Sequence, residues 1–153
     1  MTILSFIEGL WQNRVLISAA AGWATAQIIK TIIHGLLEGE WRLERLVGSG
    51  GMPSSHAATV CALVTAVAYN YGPSSFEFTI SFLLAIIVLH DARGVRLETG
   101  KQAEIINSIT KYLRMEEGHT ELPEKELKEL IGHTPVQVGA GMVIGVITGI
   151  LVH

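Results

Sequence analysis

The stretch GGMPSSH, residues 50–56, leads directly into a long apolar segment. A second polar motif, GHTPVQ at residues 132–137, leads into another one. Each motif places a histidine beside a proline and small hydroxylated residues. Titratable groups at the mouth of a membrane segment are costly, and proteins keep them mainly where they handle a charged ligand. The two motifs therefore predict membrane helices whose ends meet at an anion site, for which phosphate is the leading candidate.

The composition is typical of a membrane protein. Charged residues make up 16% of the 153 residues, against roughly 25% in soluble domains, and the mean hydropathy is +0.42. The length is that of one domain, so we expect residues 1–153 to form a single membrane-embedded unit. The net charge is −3, and no basic stripe is interleaved with aromatic residues. Nucleic-acid binding therefore has little support.

Four apolar stretches approach the length of about 20 residues that a helix needs to cross a bilayer. They cover residues 15–37, 56–71, 76–92 and 134–152. Each is longer than the roughly 4 to 8 residues usual for a strand, which favours helices. The sequence NYGPSS at 70–75 has the composition of a tight turn, so the second and third helices should form a hairpin.

The segments outside these stretches are also predicted to be helical. Residues 1–13 place Phe6, Leu10 and Trp11 near one helical face, which predicts an interfacial segment. The long third loop contains two helical patterns, at 102–113 and 123–131. The expected fold is therefore all-α: an integral membrane bundle of four transmembrane helices with an N-terminal interfacial segment and a helical third loop.

Small residues are dense in the apolar stretches. Gly141, Gly145 and Gly149 repeat at a spacing of four in the last one. This spacing lets another backbone approach closely in lipid, where packing drives helix association. Close packing within one bundle is the favoured interpretation, and a homodimer seam is the alternative.

Basic residues predict the orientation in the membrane. Four crossings place the first and third loops on one side, and these loops contain nine of the lysines and arginines, whereas the opposite side has only Arg14. Positive charge is retained on the cytoplasmic side of membranes. We therefore expect a multi-pass protein of the cell membrane whose motif-bearing loops are cytoplasmic.

The unusual polar groups all fall on that same side. Helix N-termini attract anions through their unpaired N–H groups, and two such ends carry the motifs. Lysine and arginine side chains at the same level would complete a phosphate site, and two histidines on different helix ends could divide nucleophilic attack and proton transfer. The candidate residues are Gln27, Lys30, Ser54, Ser55, His56, Asp91, Arg93, Arg96, His133, Thr134 and Gln137.

These residues carry a family resemblance. The sequence MPSSH at 52–56 resembles the Pro-Ser-Gly-His motif of the type 2 phosphatidic acid phosphatase and vanadium haloperoxidase superfamily. Together with QxxK at 27–30, DARGVR at 91–96, GxQA at 100–103 and GHTPxQV at 132–138, it makes nearly the whole chain similar to the divergent bacterial and plant branch of that superfamily.

The resemblance implies a role for each matching residue. Lys30 would bind the phosphate, Ser54 and Ser55 would contact it, His56 would be the acid, and His133 would be the nucleophile. Arg96 would be the arginine of the third motif, and Gln27, Arg93 and Thr134 are further substrate-binding candidates. Gln137 stands where the superfamily has an aspartate that orients the nucleophile, and Asp91 is a candidate to replace that carboxylate.

Structural interpretations of the same residues stay open at this point. Lys30 can snorkel to the interface, the serines at 54 and 55 can cap a helix, and His133 with the following Thr-Pro can begin one. Asp91 can close a helix end by pairing with Arg93 or Arg96. Only the convergence of the motifs on one side favours a functional site.

The resemblance implies a phosphatase acting on a phospholipid or isoprenoid phosphate or diphosphate through a phosphohistidine, without a metal or other cofactor. Because Gln137 is an amide, the alternative is a non-catalytic protein that binds or transports a lipid phosphate. A vanadium-dependent haloperoxidase is a third candidate and fits a small membrane-embedded chain poorly.

Overall fold

The computed structural model describes residues 2–39, 51–117, 127 and 133–153, without the side chains of residues 95–97 and 114–117. This part of the chain contains helices and no strand, so the all-α prediction is confirmed there. The helices are α1 (Ile3–Gln12), α2 (Arg14–Glu38), α3 (Ser55–Tyr71), α4 (Phe76–Arg93), α5 (Val95–Glu117) and α6 (Pro135–Val152).

Short polar side chains begin five of the described helices as N-caps, among them Thr2 at the start of α1. Asn13 accepts from the N–H of Leu16 at 3.0 Å at the start of α2, and Ser75 accepts from the N–H of Phe78 at 3.1 Å at the start of α4. Ser54 and Thr134 cap α3 and α6 in the same way. Such caps satisfy N–H groups that have no partner inside the helix. The helix starts are therefore encoded by single residues.

The helix α3 lies at the centre of the bundle and packs against α2, α4 and α6. Its alanines at 57, 58, 62 and 66 are fully buried. Three glycines of α6 face it: a Cβ on Gly145 would collide with the Ala58 carbonyl, and a Cβ on Gly149 would lie 2.7 Å from Cβ of Thr65. The glycine repeat thus packs within the same chain, as the favoured interpretation predicts.

The same contacts give the directions of the helices. On α2, Gly22 faces Ala58 and Ala62, whereas Lys30, two turns later, faces Gly51. Helices α2 and α3 are therefore antiparallel. Along α6 the glycines meet successively later residues of α3, so α3 and α6 run parallel and their N-termini lie at the same end of the bundle.

Three helical stretches are long and apolar enough to cross a membrane: Arg14–Glu38, Phe76–Leu113 and Pro135–Val152. The central helix α3, with 17 residues, is not among them. It is surrounded by other helices, so its side chains are small rather than strongly apolar. Among the described residues, length and composition therefore support three crossings, and the fourth crossing expected from the sequence stays a prediction.

The third loop is more helical than the sequence pattern suggests. The expected helix at 102–113 is part of α5, and only Gly94 separates α5 from α4. The second expected helix, at 123–131, lies outside the described residues except for Leu127, whose backbone exchanges two 2.9 Å hydrogen bonds with the Asn107 side chain. The N-terminal segment is helical as expected, and the side chains of α1 are exposed.

Candidate functional site

Two backbone hydrogen bonds tie three helix ends together. The N–H of Ser54, the residue before α3, donates to the carbonyl of Gln137 in the first turn of α6 at 3.0 Å. The N–H of His133 donates to the carbonyl of Ala92 near the end of α4 at 3.3 Å. Both sequence motifs are thereby fixed against one another, although about 80 residues separate them along the chain.

The two motif histidines lie next to each other at this junction. Their ring centroids are 6.1 Å apart and the ring planes are inclined by 59°. The side chain of His133 is 2% exposed, and that of His56 is half-buried. The parallel helices α3 and α6 direct their N-terminal partial positive charges toward the same region. The arrangement suits an anion that contacts both imidazoles.

The side-chain amide of Gln137 faces one ring nitrogen of His133. The N–H of Thr134 donates to Gln137 Oε1 at 3.0 Å, and a backbone N–H can only face the oxygen of an amide. The same oxygen lies 3.4 Å from Nδ1 of His133. Because Oε1 only accepts, this contact fits a ring with a proton on Nδ1, and the neutral form of that tautomer has its lone pair on Nε2. Gln137 therefore orients the imidazole as a nucleophile would require.

Gln137 and Thr134 also form a capping box. The Thr134 hydroxyl accepts from the N–H of Gln137 at 3.3 Å, reciprocating the bond to its own N–H. Pro135 occupies the first turn. The structural interpretation of this motif is thus confirmed, and the same two residues that begin the helix hold the histidine.

The side chain of Lys30 lies inside the bundle, where it is 4% exposed. Its Nζ donates to Oε1 of Gln27, also buried, at 2.8 Å. Gly51 has a positive φ of 81°, and a Cβ built there would lie 3.6 Å from Cγ of Lys30. The lysine predicted for the phosphate is therefore adjacent to the loop that precedes Ser54 and His56. The bond to Gln27 compensates for burying its charge.

The serines of the first motif have distinct positions. Ser54 is fully buried, and its hydroxyl accepts from the N–H of Ala57 at 3.4 Å, which makes it the predicted cap. Ser55 is 7% exposed and occupies the first position of α3. Its N–H is among the first N–H groups of the helix, which have no partner within it. This backbone group, rather than the Ser54 hydroxyl, is placed to donate to an anion.

The remaining candidates lie at the end of α4 and beyond. Asp91 is half-buried and precedes Ala92, the acceptor for His133, whereas Arg93 is exposed as the last residue of α4. Arg96, expected from the sequence to close the third membrane helix, is instead in the first turn of α5. Its side chain is outside the described part of the molecule. Among the described residues, no group of three His, Cys, Asp or Glu residues could hold a metal ion.

Two features of this end of the bundle were not predicted from the sequence. The Ala92 carbonyl holds the His133 backbone, and no side-chain pattern signals such a role. His34 lies one turn after Lys30 on α2, is 11% exposed, and has Nε2 2.9 Å from a carboxylate oxygen of Glu38. The i, i+4 spacing of histidine and glutamate was the available signal for that pair.

Comparisons with known proteins agree with this architecture. Residues 11–148 match the model of a family described as the divergent PAP2 family. The chain is 36% identical over 146 residues to a protein of Bacillus subtilis (strain 168) described as uncharacterized membrane protein YuiD, and the match covers 90% of this chain and 92% of that one. No solved structure matches the chain. With a family match over most of its length and a relative of this similarity, the chain belongs to the divergent PAP2 family, a PAP2-related family of membrane proteins.

Proposed function

We propose that the protein is a membrane phosphatase that hydrolyses a lipid phosphate or diphosphate through a phosphohistidine on His133. One observation carries this proposal: the buried imidazole of His133 lies 6.1 Å from that of His56, where the N-termini of α3 and α6 meet. Two imidazoles at this separation can contact opposite sides of one phosphoryl group. Membership of a PAP2-related family supports the same reaction class.

In the first step, Nε2 of His133 attacks phosphorus and the bond from phosphorus to the lipid oxygen breaks. His56 gives its proton to that oxygen, so a neutral lipid alcohol leaves (or a lipid monophosphate, if the substrate is a diphosphate). Nδ1 of His133 remains protonated and bonded to Gln137 Oε1. The positive charge that develops on the ring is therefore met by an amide dipole.

In the second step, water attacks the phosphohistidine and the phosphorus–nitrogen bond breaks. His56, now neutral, accepts a proton from the water, which restores both histidines and releases inorganic phosphate. Lys30, the N–H of Ser55 and the two helix N-termini would stabilise the negative charge on the phosphoryl oxygens in both steps. Ser54 supports this set as the α3 cap, Thr134 supports it as the α6 cap, and Gln27 holds Lys30.

A second candidate is a non-catalytic protein that binds or moves a lipid phosphate. The specific observation in its favour is Gln137: the amide oxygen is 3.4 Å from Nδ1 and also serves the Thr134 cap. A neutral amide stabilises an imidazolium less than a carboxylate does. Such a site would bind the anion with the same residues and would turn it over slowly or not at all.

Phosphate release from a panel of phospholipid and isoprenoid phosphates by the purified protein in detergent tests the proposal. Wild type should release phosphate with inhibition by vanadate, and acid-labile phosphohistidine should accumulate on rapid quenching. His133→Ala and His56→Ala should abolish release. His153→Ala is the matched control, because His153 stacks on Tyr69 at 3.9 Å at the other ends of α3 and α6. Retained lipid binding without release from any lipid phosphate would favour the binding protein.

A further inference from the structure

A groove of about 460 Å³ lies between α4 and α6. It is lined by Leu89, His90, Arg93, Gly94, Val138 and Met142. This volume is within the range of small-molecule sites, about 300 to 1,000 Å³. Val138 directly follows Gln137, whose amide oxygen faces His133. Arg93 directly follows Ala92, whose carbonyl accepts from the His133 N–H, so the groove adjoins the histidine site.

The groove has a polar and an apolar end. Arg93 and Gly94 lie where α4 ends, at the level of the Ala92 carbonyl that holds His133. Leu89 lies one turn deeper on α4, and Met142 lies one turn beyond Val138 on α6. Val138 also packs with Ala57 and Ala92 in a buried cluster. The wall of the groove is therefore the back of the histidine site, and its axis follows the helices.

The surroundings identify the occupant. On both sides of the groove, α4 and α6 expose large apolar side chains, such as Ile87 at 65% and Val143 at 59%. In a membrane protein such a surface faces hydrocarbon, because no water is present to compete. The apolar end of the groove, formed by Leu89, Val138 and Met142, can therefore take hydrocarbon. At its polar end the guanidinium of Arg93 is exposed and forms no ion pair within the described residues. It is complementary to an anionic headgroup.

We propose that this groove binds a hydrocarbon chain of a single membrane lipid, with the anionic headgroup of that lipid at Arg93. The further statement that this lipid is the substrate rests on the proposed function. In that case the chain enters from the bilayer between α4 and α6, and the phosphate passes over the end of α4 to the histidines. The protein would then select lipid phosphates over water-soluble phosphate esters.

Native mass spectrometry from detergent micelles tests the groove, with dioleoyl phosphatidic acid and the diacylglycerol of the same chains as probes. Wild type should retain one phosphatidic acid molecule. Met142→Trp should weaken binding of both probes by about tenfold, because the indole fills the groove. Val143→Trp places the same side chain on the neighbouring lipid-exposed position and should leave binding as in wild type. Arg93→Gln should weaken binding of phosphatidic acid and leave diacylglycerol unaffected.

Equal binding by Met142→Trp and Val143→Trp would overturn the inference. The two proposals fail separately. If the wild type binds lipid in the groove but releases no phosphate, the phosphatase proposal is refuted and the groove proposal stands. If the wild type releases phosphate and Met142→Trp binds lipid as the wild type does, the phosphatase proposal stands and the groove proposal is refuted.

Discussion

Gln137 has three roles: its side chain completes the capping box of α6 and faces His133 through Oε1, and its main-chain carbonyl accepts the Ser54 N–H. The superfamily pattern has a carboxylate at this place. The bond from the Thr134 N–H fixes the amide oxygen toward the ring. A glutamine therefore provides the orientation that a carboxylate would give and lacks only the negative charge.

Substituting Gln137→Glu should therefore increase catalysis. A glutamate at this position keeps the capping box, and its carboxylate forms a charge-assisted bond to Nδ1 that is about 1 kcal/mol stronger than the neutral one. We expect formation of the phosphohistidine to accelerate about fivefold, measured by rapid quench. Gln137→Met, which removes the Oε1 acceptor shared by the Thr134 N–H and His133 Nδ1, should abolish the reaction. A Gln137→Glu rate at or below that of wild type, with unchanged thermal unfolding, would contradict this role of the amide.

Lys30 is the second residue on which the site depends. Removing its charge by Lys30→Met keeps most of the side-chain volume and eliminates a charged donor to the anion. Vanadate binding, measured by isothermal titration calorimetry, should weaken by about 10- to 100-fold, since a hydrogen bond to a charged group contributes about 1.5 to 3 kcal/mol. Lys111→Met, at an exposed position of α5, is the control and should bind vanadate as wild type does. Equal affinities would assign Lys30 a structural role.

At the scale of single residues, the sequence indicated which residues lie at this junction better than it indicated which groups they contact. The histidines, Lys30 and the serines could be named because their residue types are unusual beside apolar segments. The capping box has a sequence signal, because Thr134 and Gln137 have the Thr-x-x-Gln spacing of that motif. The contact of the same glutamine oxygen with His133 depends on backbone geometry and has no such signal. The role of the Ala92 carbonyl depends on the contact between the end of α4 and the start of α6, and no side-chain pattern in the sequence predicts that contact.

At the scale of helices, the contact between α6 and α3 determines how close the two motifs come. A Cβ at Gly141 would collide with the carbonyl of Ser54, the cap of α3. The glycines therefore allow the first turns of α3 and α6 to approach until Ser54 reaches the Gln137 carbonyl. Packing of small residues thus creates the site geometry.

Gly145→Ala should accordingly destabilise the protein. Its Cβ would meet the Ala58 carbonyl and lie 2.8 Å from Cβ of Cys61, so the helices must separate. We expect a loss of about 1 to 3 kcal/mol, typical of overpacking, measured as thermal unfolding in detergent. Gly139→Ala is the matched control on the same helix: nothing lies within 4 Å of its Cβ, and alanine's helix propensity should stabilise by about 0.5 to 1 kcal/mol. Equal effects at both positions would refute the close contact.

The sequence predicted the four apolar helices and their ends well, and the start of α5 less well. All four apolar stretches are helices whose bounds differ by only a few residues from those expected, because caps and turn residues are local signals. The stretch after Arg93 was expected to be a loop before residue 102, yet α5 begins at Val95. The break between α4 and α5 is the single residue Gly94, with helix on both sides of it.

For the whole molecule, the question is whether α3 crosses the bilayer. Its 17 residues span about 25 Å, less than the roughly 30 Å of hydrocarbon. The hairpin with α4 and the parallel packing on α6 nevertheless place its two ends at opposite ends of the bundle. A short central helix surrounded by longer ones can cross where polar residues at its ends reach the interface or the bilayer thins locally.

The orientation and the number of crossings can be tested together by cysteine accessibility. Cys61 is the only cysteine, so Cys61→Ala gives a background for Ser74→Cys, in the exposed turn between α3 and α4, and Lys101→Cys, exposed on α5. If α4 crosses and basic loops are cytoplasmic, a membrane-impermeant maleimide should label position 74 in intact cells and position 101 only after permeabilisation. Labelling of both positions in intact cells would refute the prediction that α4 crosses the membrane. The reverse pattern would place the histidine site on the outer face, where its lipid phosphates would have to come from the outer leaflet.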